Sequence, residues 1–144
     1  MKKKISPRII NFINEHHVLS LVTAHKGIPW VAQCFYVWMD EEYAFLFTSD
    51  EDTRHIKDSM RTNFVAGSIA LETKSVGKIR GIQLQGHLEK VDGELYKKCK
   101  IAYIKKYPFA ILSKTALWII RPTFFKMTDN RFGFGKKLYW GEDR

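Results

Sequence analysis

The sequence predicts a mainly β fold, a closed or nearly closed antiparallel barrel carrying a few helices. Three observations predict it. Six short runs rich in β-branched and aromatic residues succeed one another with turn residues between them. Several links between neighbouring runs are too short for the crossovers that parallel strands need. Only three segments carry helical spacing, and one of those is short.

In chain order, Ser6-Pro7 reads as an N-cap followed by a proline at the first helical position. Ile9, Ile13 and His16 then fall on one helical face. Val18 to Ala24 is a strand, Lys26-Gly27 a turn, and Trp30 to Met39 a second strand. Asp40-Glu41-Glu42 makes a hairpin-like turn into a third strand, Tyr43 to Thr48. The helix Thr53 to Met60 places Ile56 and Met60 at i, i+4 for burial. Phe64 to Leu71 is a fourth strand, Glu72 to Lys78 a polar loop, and Ile79 to Val91 a long fifth strand in which Gly86 predicts a bulge or bend. Asp92 can cap the helix Glu94 to Lys106, with Leu95, Cys99 and Ala102 on its apolar stripe, and Pro108 stops it. Leu117 to Ile120 and Thr123 to Thr128 form a strand pair, or one strand broken at Pro122. The tail Asp129 to Trp140 reads as a flexible turn or a ligand-clamping segment.

One domain over residues 1–144 is the expectation from length. With 45% hydrophobic residues, 14% of the chain being aromatic, a substantial core is available. No apolar run approaches the roughly 20 residues of a membrane helix. The basic start, Met1 to Lys4, is followed by an amphipathic segment rather than by a signal-peptide core. Cys34 and Cys99 lie far apart in apolar settings, which predicts buried free thiols and a cytoplasmic protein. The net charge of +9 concentrates in residues 74–106, where nine Lys/Arg face three acids. No nucleic-acid-binding motif accompanies it, so it reads as a solvated basic face before it reads as a nucleic-acid surface.

No catalytic constellation stands out. The histidines at 16, 17, 25, 55 and 87 are scattered, with no metal-ligand spacing. The segment Phe45 to Lys57, FLFTSDEDTRHIK, suggests a ligand. A strand ends in Thr48-Ser49, and a helix opens at Thr53-Arg54-His55. Free N–H groups, the helix dipole and an arginine fork favour a phosphate there. Ordinary capping by Asp50, Glu51 and Asp52 is the competing reading. Phe35-Tyr36-Val37-Trp38 makes the second strand aromatic on both faces, which suits a core on one side and an interface or flat-ring wall on the other.

These residues resemble the pyridoxamine-phosphate-oxidase-like split barrels, and within them the YhbP-like branch. The resemblance covers most of the chain. It is carried by AQCFY at 32–36, Thr53-Arg54-His55, IRGIQLQG at 79–86 and TDNRFGFGKK at 128–137. It implies a six-stranded antiparallel split barrel, a homodimer, and FMN in a groove between subunits. Carried over by position, Thr48, Ser49, Thr53, Arg54 and His55 hold the phosphate. Gln33, Cys34 and Phe35 line the flavin ring, largely through backbone groups, and Gln83 reaches the ring or ribityl chain from either subunit. His55 stands where many members have lysine, which makes one positive charge titratable. The arginine-to-lysine stretch of the true oxidases has no counterpart near Ala32 to Val37, so pyridoxamine-phosphate oxidation is not implied. The expected function is flavin-dependent oxidation or reduction of a small molecule. The alternatives are haem in the same fold and, from another class, a basic nucleic-acid binder.

Overall fold

A computed structural model describes residues 3–112 and 114–143; Met1 and Lys2 of the basic N-terminus lie outside them. Three helices, α1 (Pro7–Glu15), α2 (Arg54–Arg61) and α3 (Gly93–Lys106), decorate one antiparallel sheet. Its strands are β1 (Val18–His25), β2 (Ile28–Phe35), β3 (Val37–Met39), β4 (Ala44–Ser49), β5 (Phe64–Ala70), β6 (Arg80–Lys90), β7 (Ala116–Asp129) and β8 (Lys137–Gly141). The order is β2-β1-β5-β6-β7-β4-β3, and β8 adds to β7.

The sheet has eight strands where the sequence predicts six, and two residues groups account for the difference. The run Trp30 to Met39 breaks at Tyr36. β2 pairs with β1 at one end of the sheet, and β3 pairs with β4 at the other. Tyr36 therefore joins the two ends of the sheet and curls it into a split barrel. Its ring is fully buried, edge-on to Phe45 at 5.3 Å, and its hydroxyl donates to the Ile13 carbonyl at 2.6 Å. The tail supplies the other extra strand: Leu138 and Trp140 face inward from β8, and the Trp140 indole donates to the Lys3 carbonyl at 2.6 Å.

The bulge expected at Gly86 is present. The β6–β7 register shifts between Gln85 and Gly86, with Gly86 opposite Pro122 and Gln85 opposite Phe124. Thr123 is the extra residue, so β7 passes through Pro122 unbroken. A Cβ on Gly86 would lie 2.5 Å from the Arg121 carbonyl oxygen, which fixes glycine there. The expected burial of Met60 does not occur: it is 65% exposed, and Ser59 packs inward beside Ile56. The two turns of α2 present Ile56 and Ser59 to the core, and Met60, one residue on and about 100° further round the helix, points to solvent.

Two cores result. The barrel interior holds Leu19, Leu21, Tyr36, Phe45, Phe47 and Phe125, with α1 and α2 contributing Ile9, Phe12, Ile13 and Ile56. The second lies outside the barrel, where Cys99 and Tyr103 of α3 cover Leu46, Leu117 and Ile119. Both thiols are buried. Burial pushes the Cys34 thiol up to about 12 and raises that of Cys99. No helix among the described residues is long and apolar enough to cross a membrane.

Candidate functional site

The end of β4 and the start of α2 build a small polar cluster. Alternation along β4 sends Phe45 and Phe47 inward, with Ser49 on the same side. Its hydroxyl is 2.7 Å from His55 Nε2 and 3.4 Å from Thr53 Oγ1, and Thr53 Oγ1 is 3.4 Å from the same imidazole nitrogen. The Trp118 indole donates to the Ser49 carbonyl at 2.9 Å and fixes the strand end. Thr53 occupies the N-cap of α2, but its hydroxyl donates to the Asp50 carbonyl at 2.9 Å and accepts nothing from the helix. The first turn of α2 contains no acid. Asp50, Glu51 and Asp52 are exposed, and Glu51 is paired with Lys90. The cluster thus combines uncapped helix N–H groups, two hydroxyls and an imidazole, with the acidic run turned to solvent. Burial lowers the pKa of His55 below the ordinary imidazole value, so the ring is neutral at neutral pH.

Arg54 is placed beside this cluster. Its guanidinium lies over the Trp30 ring at 4.1 Å, and its Nε is 3.8 Å from Asp58. Thr48 faces the other way, toward α3, where its hydroxyl bonds Thr115 and donates to the Ala116 carbonyl at 3.0 Å. The structure thus brings Ser49, Thr53 and His55 together, puts Arg54 at the rim, and separates Thr48 from them.

A slit leads away from the cluster. β3 pairs with β4 only over Ala44–Leu46, so Phe47 to Ser49 has no strand on that side. β2 has no strand on the side away from β1. The bare edge of β2 is held from outside by Tyr103, whose hydroxyl donates to the Phe35 carbonyl at 3.2 Å. Lys106 and Tyr107 donate to the Tyr36 carbonyl at 2.9 and 2.7 Å and tie down the crossover. Cys34 points into the core, so only its backbone borders the slit; Phe35 points outward and is 59% exposed. The sequence reading missed Trp30, Tyr103 and Trp118. Tyr103 lay one helical step (i+4) beyond Cys99 on the recognised stripe of α3.

Gln33 and Gln83 lie on the outer face of the barrel. One row crosses six strands as Gln33, Ser20, Ser68, Gln83, Lys126 and Tyr139, and the Ser20 hydroxyl donates to Gln33 at 2.9 Å. The next row carries Val31, Val22, Ala66, Gln85 and Phe124. Helix α3 covers the β3–β4 side, but no element covers this face among the described residues.

A curled antiparallel sheet, joined end to end at Tyr36, with a hydroxyl-ended strand feeding a helix N-terminus, defines a split barrel of the pyridoxamine-phosphate-oxidase-like class. Solved structures agree on the fold. A haem-binding protein from Mycobacterium smegmatis superposes with a TM-score of 0.76 at 15% identity, over 90% of this chain and 55% of that one. A FAD-binding protein from Mesorhizobium loti gives 0.69 at 13% identity, over 87% and 93% of the two chains. The haem storage protein HutZ of Vibrio cholerae gives 0.66 at 19% identity, over 83% and 91%. No family profile matches the chain. Full-length relatives do. A UPF0306 protein from Photorhabdus laumondii is 38% identical over 132 residues, 92% of each chain. The UPF0306 protein YhbP of Salmonella arizonae is 33% identical over 135 residues, covering 94% of this chain and 92% of its own. The chain belongs to the UPF0306 (YhbP) family.

Proposed function

We propose that the protein is a cytoplasmic homodimer that binds FMN and carries out flavin-dependent oxidation or reduction of a small molecule. The observation that carries this reading is the uncapped N-terminus of α2, with the Ser49 hydroxyl and the His55 imidazole 2.7 Å apart beneath it. These donors suit a dianionic phosphate. Ser49, Thr53, His55 and the first N–H groups of α2 would hold it, with Arg54 exchanging the Trp30 face for a two-pronged grip. The bare edges of β2 and β4, including the backbone of Gln33, Cys34 and Phe35, would border the ring. Gln83, on the uncovered face, would approach from the partner. Thr48 would contribute through its backbone.

Bound flavin supplies the hydride chemistry. The protein's own part is to anchor the phosphate, exclude water from the slit and present polar groups along its edge. The small-residue face around Val22, Ala66 and Ser68 supports a second copy as the covering partner.

The absorption spectrum of protein purified without added cofactor tests the reading, together with quenching of FMN fluorescence on titration. Flavin bands and saturable quenching are expected. A colourless protein that leaves FMN fluorescence unchanged ends the assignment. A second reading replaces flavin by haem, and is favoured by two structural neighbours described as haem proteins. A haem-type band on reconstitution would select it. Steeply salt-dependent binding of a mixed-sequence oligonucleotide would instead point to a nucleic-acid role.

A further inference from the structure

At the opposite end of β6 and β7 from the α2 cluster, two loops and a bare patch of sheet enclose a groove of about 520 Å3. Its floor is the cross-strand row Ala70, Gly81 and Thr128, which presents a methyl, no side chain and a hydroxyl. One wall is the loop carrying Val76 and Ile79; the other is the tail, carrying Phe134.

Asn130 makes the rim rigid. Its backbone N–H donates to the Ile79 carbonyl at 2.9 Å and its side-chain amide to the Val76 carbonyl at 2.8 Å. Its side-chain oxygen accepts from Gly135 N–H at 3.0 Å. One residue therefore ties both walls together and folds the tail back on itself. The apolar side chains on these walls remain unpacked: Phe134 is 81% exposed and Val76 57%. A preformed rim that holds an aromatic ring in water needs an occupant more than a stability role explains it.

The charges at this end define that occupant. Asp129 is gripped by Arg131 at 2.8 and 3.0 Å and lies 3.6 Å from Arg80, and Glu15 takes Arg80 at 3.1 Å. Both of these acids are paired. Lys137 lines the groove and donates to the Thr128 hydroxyl at 2.8 Å; among the described residues no carboxylate pairs with it. Apolar walls, a small-residue floor and one uncompensated ammonium complement a flat apolar body ending in a negative group.

We propose that this groove binds a small aromatic organic anion, its ring between Phe134 and the Val76–Ile79 loop and its anionic group on Lys137. Gln83 borders the groove, but the ring and anion contacts proposed here use none of the residues assigned to FMN and do not depend on that assignment.

Anilinonaphthalene sulfonate is the probe, with the uncharged N-phenylnaphthylamine as control. The sulfonate should bind saturably at one site per chain. Lys137→Gln should weaken it roughly tenfold, the loss expected for one charge-assisted hydrogen bond, and leave the uncharged dye unaffected. Phe134→Ala should weaken both dyes. Gly81→Leu, which fills the floor, should abolish binding of both, and thermal melting checks that each variant is folded. Unchanged affinity of the sulfonate in Phe134→Ala and Lys137→Gln overturns the proposal. A changed sedimentation mass in Phe134→Ala with unaltered dye affinity also overturns it, because the groove is then an interface between copies.

Discussion

The Tyr103 hydroxyl donates to the Phe35 carbonyl at 3.2 Å, so one phenol of α3 ties down the bare edge of β2 where the barrel is split. Tyr103 is only 6% exposed, and burial raises its pKa. Without the hydroxyl, the Phe35 carbonyl at the slit loses this partner. Tyr103→Phe should destabilise the fold by about 1–2 kcal/mol, the usual cost of a buried polar group left unpaired. Urea denaturation measures it. A shift within error would mean that water replaces the phenol at no cost.

His55 makes anion binding proton-linked. In the free protein, burial lowers its pKa, so the ring binds its proton only below the ordinary imidazole range. A phosphate dianion beside it favours the imidazolium and raises that pKa. Binding therefore takes up a proton between the two values, and affinity rises as pH falls through that window. The phosphate titrates near pH 6 itself. His55→Gln retains that titration and should flatten the rest of the profile. An unchanged profile for FMN affinity in His55→Gln would remove the imidazole from the site.

The same shift acts on stability with a definite sign. The folded state resists protonation of His55, so the unfolded chain binds the extra proton first as pH falls below about 6.5. His55 therefore contributes a loss of stability between the ordinary imidazole value and its lowered folded value, and none above that window. His55→Gln should remove this part of the acid sensitivity. Denaturation midpoints that fall equally with pH in both proteins would contradict it.

Arg54 offers a separation between binding and folding. Its side chain is half exposed and stacked on Trp30, which is itself 43% exposed. Arg54→Ala should leave stability within about 0.5 kcal/mol, as surface substitutions do, while weakening FMN roughly tenfold or more. Equal FMN affinity in the variant and the parent would place the phosphate elsewhere.

Much of this architecture was legible, and the gaps have physical causes. Period-two alternation marked the strands, and Gly86 marked its bulge. Tyr36 was invisible as a break because Trp30 to Met39 is apolar at every position but Gln33, and from Cys34 to Met39 without interruption. Only the competition between β1 and β4 for its two halves divides it. The tail hid its strand behind Gly133 and Gly135, although Leu138 and Trp140 alternate with Lys137 and Tyr139. At the site, Ser49, Thr53 and His55 are neighbours in sequence and could be read together. Trp30, Trp118 and Tyr103 arrive from β2, β7 and α3, and nothing local in the chain announces that meeting.

Both thiols should be inert in the folded protein. Cys34 is 7% exposed with its pKa pushed up to about 12, and Cys99 is fully buried. The thiolate is the reacting species, and neither residue forms it at neutral pH. An aromatic disulfide reagent should therefore titrate no thiol in buffer and two after denaturation. Prompt native-state reaction of even one would show that the β2 edge opens far more readily than its burial implies.

The uncovered face carries the last expectation. Val22 and Ala66 are paired across β1 and β5 at its centre, half-buried among Val31, Gln85 and Phe124. In a two-fold dimer built on this face, each substitution appears twice, and the two copies lie close to the axis or face each other's neighbours. Val22→Glu adds a carboxylate that solvent hydrates freely in a monomer. In a dimer it would be desolvated and opposed by its symmetry mate. The variant should therefore keep its thermal stability at low concentration and sediment as a monomer where the parent sediments as a dimer. Ala66→Glu should behave the same way, and FMN affinity should fall with it, since Gln83 of the partner would no longer reach the slit. If both variants remain dimeric, the partner covers another face, and the exposed row from Gln33 to Tyr139 needs a different occupant.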